Sequence, residues 1–304
     1  MKLNAYYDLK YGPCTFDFAT YLVLANAVRQ SINHESMGVT IVYDQFRLHT
    51  QRDLDTPEFN KRWRVDNILS KLPFLIPHVS SLDMVKKRLE EIQFPAFPGG
   101  YPPHPQDTKW SMPYGLKLLK NYYGKKEINL RPFRSSEGAK DLINTVFDDN
   151  VITITLRTSK FESPRNSNLS EWYKVYLELK KMKFRPIVIP DFDDYMGEQD
   201  FAKYDWEIYA PAVMDIDLRL ALYEKSADNL CINNGTSTIL IYSDCRYHMF
   251  KIITDEGSAT TTSHLKNQIG IDINESPKFS TAGQNYIWEN DDAINILKHV
   301  EELK

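Results

Sequence analysis

The amino-acid sequence predicts an α/β protein whose parallel sheets are covered by helices on both faces. Short apolar segments alternate with amphipathic segments of helical length, which is the pattern of strands joined by crossover helices. The apolar share of 42% indicates an ordinary globular core. A chain of 304 residues exceeds what one core usually supports, so we predict two domains, residues 1–150 and 151–304.

The first half opens with a β–α–β unit. Its pattern gives a strand, a turn-rich loop, a helix and a second strand, at residues 3–9, 10–17, 18–32 and 38–44. Amphipathic spacing predicts a further helix over residues 83–92. The Pro- and Gly-rich residues 94–106 are incompatible with a regular element and predict an ordered surface loop.

The second half alternates strands and helices more regularly, after a helix predicted over residues 132–147. The predicted strands lie at residues 151–157, 184–191, 229–234 and 246–253. The predicted helices lie at residues 170–183, 215–227, 236–245 and, closing the chain, 291–304. This order is typical of a Rossmann-like domain, and we expect a Rossmann-like domain in the first half as well.

The net charge and the cysteine content narrow the class of function. The net charge of -4 argues against a general nucleic-acid-binding protein, since such proteins depend on an excess of Lys and Arg. Cys14, Cys231 and Cys245 form no C-x-x-C pair, which predicts reduced thiols rather than disulfides or a zinc knuckle. The sequence shows neither a signal peptide nor an apolar run that could span a bilayer, so we predict a cytoplasmic protein, with peripheral membrane contact left open.

A cluster of polar residues follows the first predicted strand of the second half. In doubly wound sheets, ligands bind beyond the carboxyl ends of the strands, where backbone amides favour anions. Arg157 and Arg165 could supply planar guanidinium groups to a diphosphate, with Asn166 and Ser167 beside them. An arginine after a strand is, taken alone, more often a surface or ion-paired residue.

Two further strand ends carry polar groups at the same predicted edge. Asp191 follows the second strand and could accept hydrogen bonds from ribose or base hydroxyls. The run that follows the third strand combines glycine with amides and hydroxyls that can wrap phosphate oxygens: Asn234, Gly235, Thr236 and Ser237. Such a run is, taken alone, more often a turn with a helix cap. Together the strand ends predict a phosphate-binding site.

Sequence motifs for common cofactors are missing. Neither a G-x-G-x-x-G nor a G-x-x-x-x-G-K-[ST] motif follows these strands, which argues against a dinucleotide cofactor and against a P-loop kinase. The pairs Asp191/Asp193 and Asp215/Asp217 could hold a divalent metal, but we favour hydroxyl binding for Asp191 and helix capping for Asp215. No histidine pair has metal-ligand spacing, so we predict neither a metal nor a cofactor.

The first strand-to-helix loop groups side chains that could contact an acceptor. Asp8 or Asp17 could deprotonate an acceptor hydroxyl, with Tyr7, Tyr11 and Thr15 around it. A Gly-Pro turn capped by Thr15 or Asp17 explains the same residues equally well.

Arg62 and Arg64 flank Trp63 in a segment that favours a helix. The two arginines could bind an anionic or sugar acceptor. A helix with one aromatic anchor and two solvated charges is the more common meaning of this pattern.

These features resemble GT-B glycosyltransferases, above all the fucosyltransferase-like and heptosyltransferase-like branches. The resemblance rests on "TLRTSKFESPRNSN", in which Arg157 ends a strand, and on "NNGTSTILIYSD" two strands later. In the fucosyltransferase branch an H-x-R-R-type motif at that strand end contacts the donor diphosphate, whereas Thr155 stands here in place of the histidine. The chain is also similar to a group of bacterial proteins that share "YDL", "KRWR" and "RNSN" in this order.

The resemblance implies a GT-B-like fold, in which two Rossmann-like domains face a central cleft. It implies that Arg157, Arg165 and the loop of Gly235 hold a nucleotide-diphosphate sugar, and that the first domain presents the hydroxyl of a glycan or glycoconjugate. The activity implied is that of a metal-independent glycosyltransferase. A nucleotide-sugar epimerase or hydrolase of the same fold, and a non-catalytic module that binds a nucleotide or phosphosugar, are the alternatives. The sequence predicts neither the donor base nor the oligomeric state.

Overall fold

A computed structural model describes residues 1–87, 91–104, 107, 110–192, 201–254 and 260–300. The chain forms two compact units, Met1–Arg134 and Ser135–Lys304. Each unit is built around its own parallel sheet.

The first unit contains a four-stranded sheet with the order β3-β2-β1-β4. The strands are β1 (Lys2–Asp8), β2 (Ser36–Val42), β3 (Val79–Val85) and β4 (Ala96–Phe97). Helix α1 (Asp17–Ser31) joins β1 to β2, which pair in parallel and confirm the predicted β–α–β unit. Residues 18–27 of α1 are all buried, because the sequence of this helix is apolar on most of its faces.

Two predictions for the first unit are wrong. The structure places Asp83 and Met84 in β3, opposite Thr40 and Ile41 of β2, where the amphipathic spacing had predicted a helix. Pairing along the sheet therefore outweighs local helical periodicity, and residues 88–90 of the predicted helix lie outside the described residues. In the Pro-rich segment, β4 pairs with β1 as an edge strand, a position that tolerates flanking prolines.

Short helical segments complete the described part of the first unit. They are α2 (Gln51–Asp55), α3 (Glu58–Arg64), a π-helical turn at Val65–Leu69, and 3-10 turns at Leu72–Leu75 and Leu116–Tyr122. The helix predicted around Trp63 is thereby confirmed.

The second unit contains a five-stranded sheet with the order β6-β5-β7-β8-β9. The strands are β5 (Val151–Thr155), β6 (Arg185–Ile189), β7 (Asp228–Ile232), β8 (Tyr247–Phe250) and β9 (Gln284–Tyr286). All four pairings are parallel. Every residue of β5, β7 and β8 is buried, which explains why most of their residues are apolar. The predicted parallel sheet of a Rossmann-like domain is confirmed.

Helices connect and cover this sheet. They are α4 (Glu137–Val146), α5 (Leu169–Lys181), α6 (Ala210–Met214), α7 (Ile216–Lys225), α8 (Thr238–Ile241), α9 (Thr262–His264) and α10 (Ala293–Val300). Asp215 caps α7 as predicted, since its carboxylate accepts the N–H groups of Asp217 and Leu218 at 2.8 and 3.0 Å. The helix predicted over residues 236–245 is reduced to the single turn of α8.

The core of the second unit is centred on α5. Trp172, Val175, Tyr176 and Leu179 recur at helical spacing and form one buried face of this helix. They belong to the same apolar cluster as Ile154 of β5 and strands β6 and β7. Burying each of these large side chains contributes roughly 1.5–3 kcal/mol, so this face fixes α5 against the sheet.

The two compact units divide at Arg134, earlier than the boundary placed at residue 150 from the sequence. Helix α4 lies with the second unit, where it packs against α7. The segment before α4 is bound there too, because the Ser136 N–H donates to Asp217 Oδ1 at 2.8 Å and the Ser135 N–H to Glu224 Oε1 at 3.0 Å.

Across the part of the chain that the structure describes, we find no helix with the length and apolar character that crossing a membrane requires.

Candidate functional site

The candidate site lies at the carboxyl edge of the second sheet. Because the strands are parallel, the segments after β5, β6, β7 and β8 all emerge at this edge. They carry the predicted residues Arg157, Arg165, Asn166, Ser167, Asp191, Asn234, Gly235, Thr236 and Ser237. Whether these residues bind a donor stays a prediction.

Arg157 closes the loop that follows β5. Its guanidinium donates to the backbone oxygens of Glu162, at 3.0 Å, and of Phe161, and to Asn166 Oδ1. Its backbone N–H donates to Ser167 Oγ at 2.9 Å, and the Ser167 N–H donates back to its carbonyl at 2.8 Å. Arg157 is only 6% exposed, so its described hydrogen bonds shape this loop from within.

Arg165 joins the β5 loop to the segment after β7. Its Nη1 pairs with Glu162 Oε2 at 2.8 Å, and its Nη2 donates to the backbone oxygen of Asn233 at 3.1 Å. Both side chains of the ion pair are largely shielded, with 14% and 11% of their surface exposed. The two segments in which the sequence predicted a phosphate site are therefore in direct contact.

Asn234 organises the loop after β7. Its Oδ1 accepts the N–H of Ser237, three residues further on, at 2.8 Å and the Thr236 hydroxyl at 2.9 Å, and these hydrogen bonds close a turn. Gly235 lies exposed between these partners. The following helix α8 has only four residues, so the turn and not a helix end defines this loop.

Three buried polar atoms at this edge have no hydrogen-bond partner among the described residues. They are Thr158 Oγ1, Arg165 Nε and Asn234 Nδ2. Buried polar groups in folded proteins are almost always paired, and an unpaired one costs about 1–3 kcal/mol. A ligand rich in acceptor oxygens would satisfy all three, since two are N–H donors and the third is a hydroxyl.

Asp191 lies at the same edge, beside the β5 loop. Its Oδ2 accepts the N–H of Thr158 at 3.2 Å, which ties the end of β6 to the end of β5. Asp193, the other half of the possible metal pair, lies outside the described residues. Within the described ranges, no group of three or more His, Cys, Asp or Glu residues could hold a metal ion.

Lys251 and Asp291 belong to this edge but were not singled out in the sequence. Lys251 follows β8 with a φ of 54°, and its Nζ donates to the backbone oxygen of Asn166 and pairs with Asp291 Oδ1 at 3.4 Å. Asp291 Oδ2 accepts the N–H of Asn168 at 2.7 Å and Trp172 Nε1–H at 3.0 Å. The pair therefore holds the β5 loop and the start of α5. Lys251 could have been noticed as a cation after a strand, but nothing in the local sequence connects it to Asp291.

In the first unit, Tyr7 and Asp8 have the placement of structural residues. Tyr7 is fully buried, and its hydroxyl donates to the backbone oxygen of Pro13 at 2.8 Å. Burial raises the pKa of Tyr7 well above its ordinary value. Asp8 is also fully buried, and its carboxylate accepts the Lys10 N–H at 2.9 Å and the Tyr101 hydroxyl at 3.2 Å. Neither side chain has exposed surface in this structure, and a contact of either with an acceptor stays a prediction.

The rest of the predicted acceptor loop is more accessible. Asp17 is exposed at the start of α1, and its Oδ2 accepts the Thr15 hydroxyl at 2.6 Å. Tyr11 is half-buried, with its ring edge-on to Trp110 at a centroid distance of 5.1 Å. Of the two acidic residues suggested as a base, Asp17 is the exposed one, and its role stays a prediction.

Arg62 and Arg64 lie on α3 on either side of Trp63. Arg62 is exposed and pairs with Glu58, one helical turn earlier, at 2.6 Å. Arg64 is half-buried. This arrangement matches the helix with solvated charges, and a contact of either arginine with an acceptor stays a prediction.

A shielded ion pair supports the segment after β2. Arg47 Nε pairs with Asp53 Oδ2 at 2.9 Å, with 12% and 13% of the two side chains exposed. Arg47 also donates from Nη1 to the Tyr114 hydroxyl at 2.8 Å. Burial raises the pKa of Asp53, but hydrogen bonds from Arg47 and Thr50 and the charge of Arg47 more than offset this, so the pKa is lowered overall.

This ion pair predicts a loss of stability in acid. A carboxyl group whose pKa is lower in the folded state stabilises the fold above its unfolded pKa of about 4, and this contribution disappears as the pH falls through the folded value. Asp53→Asn removes the charge at every pH. We expect its unfolding free energy to lie below that of the wild type at neutral pH and to converge with it in acid, as measured by urea unfolding. A constant difference between the two proteins at all pH values would contradict this role for Asp53.

The two parallel sheets place the chain in the α/β class with two Rossmann-like units, as predicted. The structure of E. coli ADP-heptose LPS heptosyltransferase II is similar to it, with a TM-score of 0.54 and 10% identity over 100% of this chain and 98% of that one. This likeness concerns the fold and confirms the predicted GT-B-like class at that level.

Two further structures are similar at lower scores. The glycosyl transferase family 9 protein from Veillonella parvula DSM 2008 has a TM-score of 0.48 and 9% identity over 99% of this chain and 89% of that one. The E. coli heptosyltransferase WaaC with ADP has a TM-score of 0.49 and 10% identity over 100% of both chains. No protein-family model matches the sequence, and no curated protein matches it either.

Proposed function

We propose that the protein is a glycosyltransferase that moves a sugar from a nucleotide-diphosphate donor to a hydroxyl acceptor. The observation that carries this proposal is the set of three buried, unpartnered polar atoms at the carboxyl edge of the second sheet: Thr158 Oγ1, Arg165 Nε and Asn234 Nδ2. They come from two loops that Arg165 joins through Asn233. A diphosphate offers enough acceptor oxygens to satisfy donors from both loops at once.

Two basic side chains at this edge are placed to donate to a diphosphate. Arg165 and Lys251 are both largely shielded from solvent, and each already has one acidic partner, Glu162 and Asp291. Fixed donors in such a shielded place stabilise the charge that develops on the leaving diphosphate as the glycosidic bond breaks. In this proposal Arg165 and Asn234 contact the phosphates, and Arg157 holds the loop that carries them.

The acceptor side is proposed for the first unit. Asp17 would act as the general base, because it is exposed and its carboxylate is held by the Thr15 hydroxyl. Thr15 and Tyr11 would border the acceptor. We propose a glycan or glycoconjugate precursor as acceptor, neither a metal nor a cofactor for the reaction, and a cytoplasmic location, which suits three cysteines that form no disulfide within the described residues.

The fold likeness to the ADP-heptose heptosyltransferase supports the choice of a nucleotide-diphosphate sugar as donor. It leaves the base and the sugar open. We therefore keep the donor at the level of its diphosphate, which is the part that the unpartnered atoms suit.

A binding screen followed by a turnover assay tests this function. We expect ADP, GDP or UDP to raise the melting temperature of the full chain, and CMP, which lacks a diphosphate, to raise it less. Sugar transfer that requires an acceptor supports a transferase, whereas donor consumption without one would indicate an epimerase or hydrolase. Binding without turnover would indicate a binding module, and a response that needs Mn²⁺ would favour the metal pair at Asp191 and Asp193. The absence of any nucleotide effect would overturn the proposal.

A further inference from the structure

A polar cavity of about 120 Å³ opens in the first unit, at the amino edge of its sheet. It is lined by the last turns of α1, by the residues before β3 and by the segment that ends this unit. The residues that matter are Asn26, Arg29, Gln30, His78, Asn129 and Arg134. The loop with Asp17 lies at the other end of α1, so the cavity is separate from the proposed acceptor residues.

Arg29 is a buried cation with neutral partners. It is only 6% exposed, and its guanidinium donates to Asn26 Oδ1 at 2.9 Å and to the backbone oxygens of His34 and Glu35. No described carboxylate pairs with Arg29, and no described residue accepts a hydrogen bond from its Nη2. Carbonyl groups at the end of α1 offset part of the charge. Burial alone nevertheless lowers the pKa of Arg29, with no acidic neighbour to restore it.

Asn26 contributes a second donor that lacks a partner. The residue is 1% exposed, and its Oδ1 is occupied by Arg29. No described residue accepts a hydrogen bond from its Nδ2. Arg29 and Asn26 therefore both line the cavity, both are more than nine-tenths buried, and each has one nitrogen donor without an acceptor among the described residues. Since Arg134 and His78 border the same space and none of its described lining residues is acidic, the cavity favours an anion.

The size of the cavity restricts the anion. A single water molecule needs roughly 10–15 Å³, so this space holds several waters or one small ion. Sites for nucleotide-sized ligands are larger, roughly 300–1,000 Å³. A compact oxyanion with several acceptor oxygens therefore fits better than a nucleotide.

We propose that this cavity binds a small tetrahedral oxyanion of the phosphate class, held by Arg29 Nη2 and Asn26 Nδ2. The ion supplies the counter-charge that Arg29 otherwise lacks and ties the end of α1 to the segment around Asn129 and Arg134. Binding to the folded state alone raises stability by mass action, so the anion concentration controls the stability of the first unit.

Thermal melting of the full chain in inorganic phosphate, with sodium chloride added to equal ionic strength as the reference, tests this proposal. We expect a saturable rise in melting temperature with phosphate beyond that in chloride. Asn26→Asp keeps the oxygen that accepts from Arg29 and replaces the free donor by a negative oxygen. This variant is expected to melt higher than the wild type without phosphate, and to bind phosphate at least tenfold more weakly.

Arg29→Gln could fail to fold, because Arg29 also holds the end of α1, so the isosteric Asn26→Asp change decides the question. Asn121→Asp, an exposed change of the same charge in this unit, serves as the control and should respond to phosphate as the wild type does. An equal phosphate response in Asn26→Asp, or no response in the wild type beyond chloride, would overturn the proposal. Glycerol 3-phosphate distinguishes an organic phosphate from free phosphate as the ligand. A larger rise in melting temperature than with inorganic phosphate assigns an organic phosphate, and an equal or smaller rise assigns the free ion. Nucleotide binding should be unchanged in Asn26→Asp, so this test stands apart from that of the proposed transferase.

Discussion

Asn234→Asp is expected to weaken nucleotide-diphosphate binding at least about 100-fold. The substitution keeps the oxygen that accepts from Ser237 and Thr236, so the turn after β7 is retained. It replaces the unpartnered Nδ2 by an oxygen that carries negative charge. Two like charges about 4 Å apart repel by about 4 kcal/mol at the effective dielectric constant of a protein surface. A 100-fold loss needs only about 2.7 kcal/mol, so the expected effect is a lower bound.

Isothermal titration calorimetry with the nucleoside diphosphate that gives the largest thermal shift measures this effect. Circular dichroism and the melting temperature without nucleotide report whether the variant is folded. Asn121→Asp changes the same residue type on the exposed surface of the first unit and should bind as the wild type does. Unaltered affinity in a folded Asn234→Asp would remove Asn234 from the binding site and leave the three unpartnered atoms without a ligand.

The fold was predictable because burial dictates the sequence of parallel strands. Residues of β5, β7 and β8 are buried throughout, and their short, mostly apolar segments alternate with segments of helical length, which favours strands of a covered parallel sheet. Prediction failed where pairing competes with local preference. Asp83 and Met84 have helical spacing in the sequence, yet hydrogen bonds to β2 hold them in a strand. The two residues of β4 lie among prolines and are recognisable only through their partner β1.

The location of the candidate site was also predictable, but the partners of its side chains were not. Parallel topology brings the carboxyl ends of β5, β6 and β7 to one edge of the sheet, independently of the side-chain conformations. Whether a guanidinium at that edge points outward or folds back depends on carbonyl groups whose positions the sequence does not reveal. Arg165 reaches the loop after β7, whereas Arg157 turns into its own loop. Similarly, Lys251 and Asp291 meet through the tertiary fold alone.

Arg157→Ala is expected to destabilise the second unit by about 3 kcal/mol. If Arg157 only contacted a ligand, the substitution would leave the stability without ligand nearly unchanged. The guanidinium satisfies the backbone oxygens of Glu162 and Phe161 and the side chain of Asn166, all within a shielded loop. Removing it leaves these acceptors unpaired at about 1–3 kcal/mol each, partly relieved by water that enters the loop. For a unit of this size, 3 kcal/mol corresponds to a fall in melting temperature of about 6–12 °C.

Urea unfolding and nucleotide titration of the same samples separate the two roles of Arg157. Arg62→Ala, on an exposed helix, is the matched control and should change the unfolding free energy by less than about 0.5 kcal/mol. Arg157→Lys retains the charge but cannot reach three acceptors with one planar group, so it should recover only part of the stability. If Arg157→Ala unfolds like the wild type but no longer binds the nucleotide, Arg157 contacts the nucleotide diphosphate directly, as the resemblance to fucosyltransferases implied. If the unfolding free energy falls strongly and nucleotide affinity falls only in proportion to the loss of order in the loop, Arg157 has a structural role in the site. Arg165 is then the arginine that contacts the diphosphate.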